Sequence, residues 1–190
     1  MSQPARLTTL APLTVETAPE GSRTILDQTR SALGMVPNLY AGMANSPGLL
    51  STYAAGYQRF REDSGFDPVE QEIVFLAISR FHECTYCVAV HSAVADLNQV
   101  PTDITDAIRD GKPLDDPRLA ALNDFTSQVV ATRGRPGADE LERFLSVGYT
   151  ETQVLEIVLA VAVKTISNFT NHFLQTPLDD VFTRRSWLPD

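Results

Sequence analysis

The sequence predicts an all-α protein. Helix-start signatures recur along the chain, prolines and glycines fall at the joints between them, and no apolar–polar alternation flanked by turns marks a strand. With 190 residues, 43% of them hydrophobic and 21% charged, the chain has the composition of an ordinary globular domain. A chain of this size buries roughly 70% of its unfolded surface and needs no disulfide or metal staple to fold.

Residues 1–22, punctuated by Pro4, Pro12, Pro19 and Gly21, read as an extended arm, and residues 23–190 as a single helical domain. A short helix over 23–33 ends at Gly34. Pro37 and Pro47 bracket a second helical piece with Leu39, Met43 and Ala44, and Pro47 suits the first turn of a helix to about Arg61. Asp67-Pro68-Val69-Glu70 is a strong start: Asp67 can cap, Pro68 fits the first turn and Glu70 stands where a capping box needs an acid. That helix runs to about Arg80, and the next from Cys84 to about Leu97. Others open at Pro101-Thr102 and at Pro117, the latter running to about Thr132. After the loop at Gly134, Pro136 and Gly137, residues 138–147 and 151–181 read as helical, the second stretch in two pieces. The run Val154–Val163, broken only by Glu156, is apolar on nearly every side, as in a core or a subunit interface. Phe169 and Phe173 read as core. The tail around Trp187 reads as docking on a neighbouring subunit.

One internal similarity stands out. Glu72-Ile73-Val74 recurs as Glu156-Ile157-Val158, each copy runs on to a cation (Arg80 or Lys164), and each ends in a histidine (His91 or His172). Cys87 precedes one histidine by four residues and Asn168 precedes the other by four. The alternatives are two buried helices alike by composition and a duplicated two-helix unit whose second copy lacks the thiols.

The 24 acidic and 15 basic side chains leave a net charge of −9, with no visible Lys/Arg patch. That balance argues against nucleic acid or an anionic membrane as the main partner. No stretch approaches ~20 uninterrupted apolar residues. The start Met1-Ser2-Gln3-Pro4-Ala5-Arg6 lacks the basic and apolar segments of a secretory signal. The expected compartment is the cytoplasm, where thiols stay reduced.

Against that background the cysteines carry the argument. Cys84 and Cys87 form a C-x-x-C pair and are the only two in the chain, which excludes a disulfide framework and leaves a redox or metal role. On a helix, positions three and four apart share a face, so Cys84, Cys87 and His91 fall on one stripe and His91 can reach Cys87 across one turn. The helix start favours thiolate over thiol, through its positive dipole end and free N–H groups. A thiolate can attack the O–O bond of a peroxide and become a sulfenic acid, with which a second cysteine condenses to a disulfide. His91 suits the accompanying proton transfer. Glu72, inside an apolar run, requires a partner such as an imidazole or a water. Arg80 lies two turns away, too far for a direct bond. Zinc held by Cys84, Cys87, His91 and Glu72 is the metal alternative, but structural zinc sites pair their ligands at two separate spacings, so no metal is expected. Cys84 and Cys87 as small buried hydrophobes is the bland alternative. Tyr86 reads as packing, His82 as exposed at a turn, and His172 with Asn168 as an echo of the thiol-bearing helix.

These residues resemble the alkylhydroperoxidase D (AhpD-like) and carboxymuconolactone decarboxylase superfamily. The resemblance rests on Glu72, Cys84, Cys87 and His91 at their spacing. It extends to Gly34-Met35-Val36-Pro37-Asn38-Leu39 with Ser46-Pro47, and to Asn168-Phe169-Thr170-Asn171-His172 with Thr176-Pro177-Leu178, together covering roughly residues 23–180. It implies an AhpD-like helical fold, homo-oligomers, and a thiol peroxidase or disulfide reductase without a bound cofactor. The implied partners are a hydroperoxide substrate and a dithiol or thioredoxin-like reductant. It further implies that Cys87 takes up the oxygen, Cys84 resolves it, and Glu72 and His91 relay protons. One position departs from the pattern: Tyr86 stands where the well-studied peroxidases carry a histidine. The decarboxylase branch lacks the cysteine pair. A general thiol–disulfide oxidoreductase and a redox-sensing interaction protein are the alternative functions.

Overall fold

The structure is a computed structural model that describes residues 5–189, and among them it holds nine α-helices, one 3₁₀ turn and no strand. The helices are α1 (Glu20–Leu33), α2 (Asn38–Met43), α3 (Pro47–Asp63), α4 (Pro68–Phe81), α5 (Thr85–Leu97), α6 (Thr102–Asp110), α7 (Pro117–Ala131), α8 (Ala138–Ser146) and α9 (Glu151–Leu174). Local chemistry sets their starts. Asp67 and Glu70 form a reciprocal capping box on α4, Thr150 and Gln153 form another on α9, and Asp116 caps α7. Prolines occupy the first turn of α3, α4 and α7, where a missing N–H costs nothing.

α4 is the central helix. Every residue from Glu70 to Ser79 is buried, because α5, α6, α7 and α9 surround it. Phe60, Phe75, Phe125, Phe144 and Leu122 fill the core on one side of it. A second cluster joins Leu26, Leu39, Leu50, Tyr53 and Val163 to Cys84 and Cys87, so both sulfurs lie in an apolar seam between the N-terminal helices and α9. Two glycines bring α9 close. A Cβ on Gly56 would stand 2.7 Å from Val163 Cγ2, and one on Gly42 would stand 2.5 Å from Leu174 Cδ1.

Several expectations change. Residues 151–174 form one unbroken helix, and only the 3₁₀ turn Asp180–Arg185 follows it after a gap. The capping box starts α9 and nothing interrupts it until Gln175, which turns left-handed at φ 47° just ahead of Pro177. The similar segments therefore do not repeat a helix pair: the first spans α4 and α5, the second lies wholly on α9. α1 begins at Glu20, ahead of the expected 23, because Pro19 opens it. Residues 5–19 are irregular yet pinned, with Leu7 N–H on the Phe173 carbonyl and Leu13 N–H on the Ala41 carbonyl, each at 2.9 Å. The Trp187 tail docks on its own chain: the indole N–H donates to the Arg109 carbonyl at 3.1 Å, and Arg185 pairs with Asp96 and Asp106. Phe169 and Phe173 are about half exposed rather than core.

α9 is long and apolar enough to cross a membrane by length and composition. The sequence expectation missed this because polar residues interrupt its apolar run. Those polar residues, Lys164, Ser167, Asn168 and Asn171, are buried against the rest of the fold, which gives the helix a polar inner stripe.

Candidate active site

α4 and α5 are joined by a three-residue turn whose geometry places the first thiol. Glu83 adopts φ 53°, which turns the chain sharply enough for Cys84 N–H to reach the Ser79 carbonyl at 3.0 Å. Cys84 then becomes the N-cap of α5. Its Sγ accepts from the Cys87 N–H at 3.3 Å, the bond a serine hydroxyl makes at such a position. Cys87 sits in the first turn, at the positive end of the helix. Both thiols are free and buried, at 1% and 2% exposure.

The other side of the sulfurs belongs to α9. Lys164, Asn168 and Asn171 are spaced by four and three residues and share its inner face. Asn171 Nδ2 donates to Cys87 Sγ at 3.1 Å and reaches Cys84 Sγ at 3.7 Å. Burial pushes the Cys87 thiol up. The Cys84 thiol donating to it, the Lys164 charge and the Asn171 and Asn168 amides outweigh that burial and hold Cys87 down at about 6. Cys84 goes the other way, raised by burial, by its own donation to Cys87 and by repulsion from that sulfur's charge. One sulfur is thus poised as thiolate and its neighbour as thiol. Burial, in turn, pulls the Lys164 ammonium below the usual lysine range.

Glu72 finds its partners on three sides. Oε2 accepts from His91 Nδ1 at 3.0 Å, and Oε1 pairs with Arg61 Nη2 at 2.5 Å and accepts from Asn98 Nδ2 at 3.4 Å. Burial opposes ionisation, but His91 and Arg61 hold the carboxyl below the usual carboxylate range. Burial and the Lys164 charge, opposed by Glu72, bring His91 down to about 4. A neutral imidazole donating Nδ1–H to a carboxylate carries its lone pair on Nε2, so His91 is a base at neutral pH. The ring packs 4.8 Å from Phe75, over which the Arg61 guanidinium and the Lys164 ammonium also stand, at 4.8 and 5.4 Å.

The structure therefore brings Glu72 to His91 and Cys84 to Cys87. Among the described residues it shows no hydrogen bond between His91 and either sulfur, despite their shared stripe. Lys164, whose charge acts on Cys87, Cys84, Glu72 and His91, stands electrostatically between the two pairs. Tyr86 packs in the same apolar cluster as the thiols, but its hydroxyl bonds elsewhere. Its hydroxyl donates to Asp179 Oδ2 at 2.6 Å and accepts from Leu39 N–H at 3.4 Å, tying the turn to the chain's C-terminal segment.

A cleft of about 480 Å³ opens onto the site, lined by Cys84, Tyr86, His82, Asn171, His172 and Gln175 among others. Cys84 lines it and Cys87 lies behind. His82 is half-buried rather than exposed, because its Nδ1 sits 2.9 Å from Asn168 Oδ1 and its ring packs 5.1 Å from Phe169. Lys164, Asn168 and Asn171 were not expected as site residues. The signals for them were the similarity of their segment to the thiol-bearing one and, for Asn168 and Asn171, their place in the motif that carries the family resemblance.

Residues 47–123, which include Glu72, Cys84, Cys87 and His91, match the carboxymuconolactone decarboxylase family. No curated protein matches the chain significantly. Among solved structures, an AhpD-core, peroxidase-related protein from Ralstonia eutropha JMP134 is 21% identical and superposes with a TM-score of 0.81, over 95% of this chain and 96% of that one. A peroxidase-related protein from Silicibacter sp. TM1040 is 18% identical with a TM-score of 0.77, over 95% of both chains. The debrominase Bmp8, as a cysteine-to-alanine variant in complex with 2,3,4-tribromopyrrole, is 15% identical with a TM-score of 0.78, over 95% and 97%. At these identities the likeness is one of fold. The chain thus has the AhpD-like fold, and its residues 47–123 are similar to the carboxymuconolactone decarboxylase family.

Proposed function

We propose that this protein is a thiol-dependent peroxidase that reduces hydroperoxides through the Cys84–Cys87 pair. The observation that carries the reading is the placement of Cys87 in the first turn of α5, its sulfur accepting from Asn171 Nδ2 at 3.1 Å beside the capping Cys84 thiol, an arrangement that favours thiolate on Cys87. In the first step Cys87 Sγ attacks the outer oxygen of the hydroperoxide. An S–O bond forms, the O–O bond breaks, the sulfur loses two electrons, and the alcohol or water departs with a proton from the site. In the second step Cys84 Sγ attacks the Cys87 sulfenic acid. An S–S bond forms, and hydroxide leaves as water with the Cys84 proton. A dithiol or thioredoxin-like reductant then exchanges with the disulfide and is itself oxidised. It meets Cys84 first, since that sulfur lines the cleft. Glu72 holds His91 neutral, with Nε2 free to pass on protons released on re-reduction. The cytoplasm, being reducing, would keep the pair in its active dithiol form.

Mass spectrometry of the Cys84–Cys87 peptide after one equivalent of organic peroxide tests the reading. The expected result is rapid loss of two hydrogens, reversed by a dithiol. Cys87→Ser should abolish peroxide consumption, and Cys84→Ser should let a sulfenic acid persist on Cys87. Normal turnover by Cys87→Ser overturns the mechanism, and a sulfenic acid on Cys84 in the wild type reverses the roles.

Homo-oligomerisation belongs to the same proposal. Leu155, Val158, Phe169 and Phe173 are exposed along the outer face of α9, by 47% to 68%, with exposed Phe81 at one end beside His82. A second copy would cover this strip. Light scattering of the wild type against Leu155→Asp/Phe169→Asp should show the variant losing subunits.

A second reading, general thiol–disulfide exchange, is favoured by the position of Cys84 on the cleft, where another disulfide could meet it. Turnover of a disulfide substrate at rates above those with peroxide would select it.

A further inference from the structure

Two buried polar atoms beside the sulfurs have no partner. Asn168 Nδ2 and Asn171 Oδ1 are both shielded from solvent and make no hydrogen bond. Their residues are 0% and 4% exposed, where an unpaired amide group costs about 1–3 kcal/mol. Most buried polar groups in native proteins are satisfied, so two such atoms on one stripe need a reason.

Both amides are held in definite orientations. His82 fixes Asn168 through Oδ1, which leaves Nδ2 as the free end. That Nδ2 lies near enough to Cys87 to favour its thiolate, yet makes no hydrogen bond to it of normal length. Asn171 spends Nδ2 on the two sulfurs, which leaves Oδ1 as a free acceptor. Asn171 also lines the cleft, so a molecule moving from the cleft toward Cys87 passes it. One unpaired donor and one unpaired acceptor thus flank the sulfur that the peroxidase reading makes the nucleophile. A hydroperoxide end, R–O–O–H, offers the complement: an outer oxygen carrying a proton to donate, and an inner oxygen that gains negative charge as the O–O bond breaks.

We infer that Asn168 and Asn171 are the oxygen-binding site of this peroxidase: Asn171 Oδ1 accepts from the outer O–H, and Asn168 Nδ2 donates to the inner oxygen that leaves. The inference rests on the peroxidase reading. Cys87 Sγ bonds to the outer oxygen, which keeps its hydrogen and becomes the sulfenic acid. The bonding pair of O–O stays on the inner oxygen, where Asn168 Nδ2 stabilises the developing charge. Lys164 supplies the proton that completes the alcohol. It lies one helical turn from Asn168 on the same face, is buried, and among the described residues has neither an ion pair nor a hydrogen bond to its ammonium. Its lowered proton affinity suits that transfer. Lys164 is reprotonated from solvent once the disulfide has formed. His82 acts as a positioning residue, because it orients the Asn168 amide.

The test compares an oxygen-bearing oxidant with one that has none. In the Cys84→Ser background only Cys87 reacts. Its rates with cumene hydroperoxide and with 2,2′-dithiodipyridine, a disulfide reagent without oxygen, are measured at a pH above the Cys87 titration. Asn168→Leu keeps the volume and Asn168→Ala removes it; both delete the donor, so whichever folds by circular dichroism serves. The peroxide rate should fall about 100-fold, as when one donor to a developing oxyanion is removed, while the dithiodipyridine rate stays within about twofold. Equal slowing of both reagents, or no slowing of either, overturns the oxygen-binding site and leaves the peroxidase reading standing. A parent protein whose Cys87 meets peroxide no faster than free cysteine thiolate overturns both.

Discussion

Lys164 gives the sharpest measurement of how the fold sets thiol chemistry. Lys164→Met keeps the length of the side chain and removes its charge. Cys87 titrates at about 6 with Lys164 among the causes that lower it. A buried opposite charge shifts a neighbouring group by about 1–3 units; taking the lower bound, the thiolate fraction at pH 7 falls from about nine-tenths to about half. His91 should move upward as well, since the Lys164 charge is a leading cause of its lowered value. Stability should hold or rise, because an apolar side chain replaces an ammonium that lacks an ion-pair partner among the described residues. The assay is thiolate absorbance near 240 nm against pH, with Cys84→Ser as the common background. Iodoacetamide alkylation serves as a second readout, expected to fall about twofold at pH 7 and to recover at alkaline pH. A folded Lys164→Met protein whose Cys87 titration stays in place, or moves down, would refute the electrostatic reasoning.

Glu72→Gln should cost about 3–5 kcal/mol by urea unfolding, because it leaves Arg61 paired with a neutral amide and unpins His91 in a buried site. Tyr86→Phe removes the donor to buried Asp179 and should cost about 1–3 kcal/mol, with the Cys87 thiolate titration nearly unmoved. Stability should fall as pH falls, in two windows. Cys87, about 8.5 unfolded and about 6 folded, binds protons first in the unfolded chain, so stability is lost from about pH 8.5 down to about 6. His91, about 6.5 unfolded and about 4 folded, adds a further loss between those values. The disulfide form should keep only the lower window. Urea midpoints of both redox forms at several pH values check this, and a flat profile would contradict it.

Much of this architecture was legible in the sequence because local chemistry writes it there. Asp67-Pro68 and Pro117 announce helix starts in the plainest terms, and the C-x-x-C pair at a helix start announces an acidic thiol, which is Cys87 alone. Glu72 was legible as a carboxylate in need of a partner, and the partner is His91. Arg61 was not, since its approach to Glu72 depends on how α3 crosses α4. The inner stripe of α9 was hidden for a related reason. Lys164, Asn168 and Asn171 resemble the solvated face of a helix, and only tertiary packing turns them inward and leaves Leu155, Val158, Phe169 and Phe173 outside. His82 and the Trp187 tail were misjudged likewise, since their partners, Asn168 and Arg109, are distant in sequence.

That distance has a consequence for how the molecule comes into being. Asn171 lies 84 residues beyond Cys87. At a synthesis rate of about 5–20 residues per second, the thiols are made roughly 4–17 s before the amide that grips them. During that interval they are two ordinary thiols, protonated at cellular pH and slow toward oxidants. Lys164, Asn168 and Asn171 add their share to the acidity of Cys87 only when α9 docks, so the unfinished chain holds a less acidic thiol than the finished one. A brief pulse of thiol reagent at mildly acidic pH therefore counts mature molecules and passes over the nascent ones.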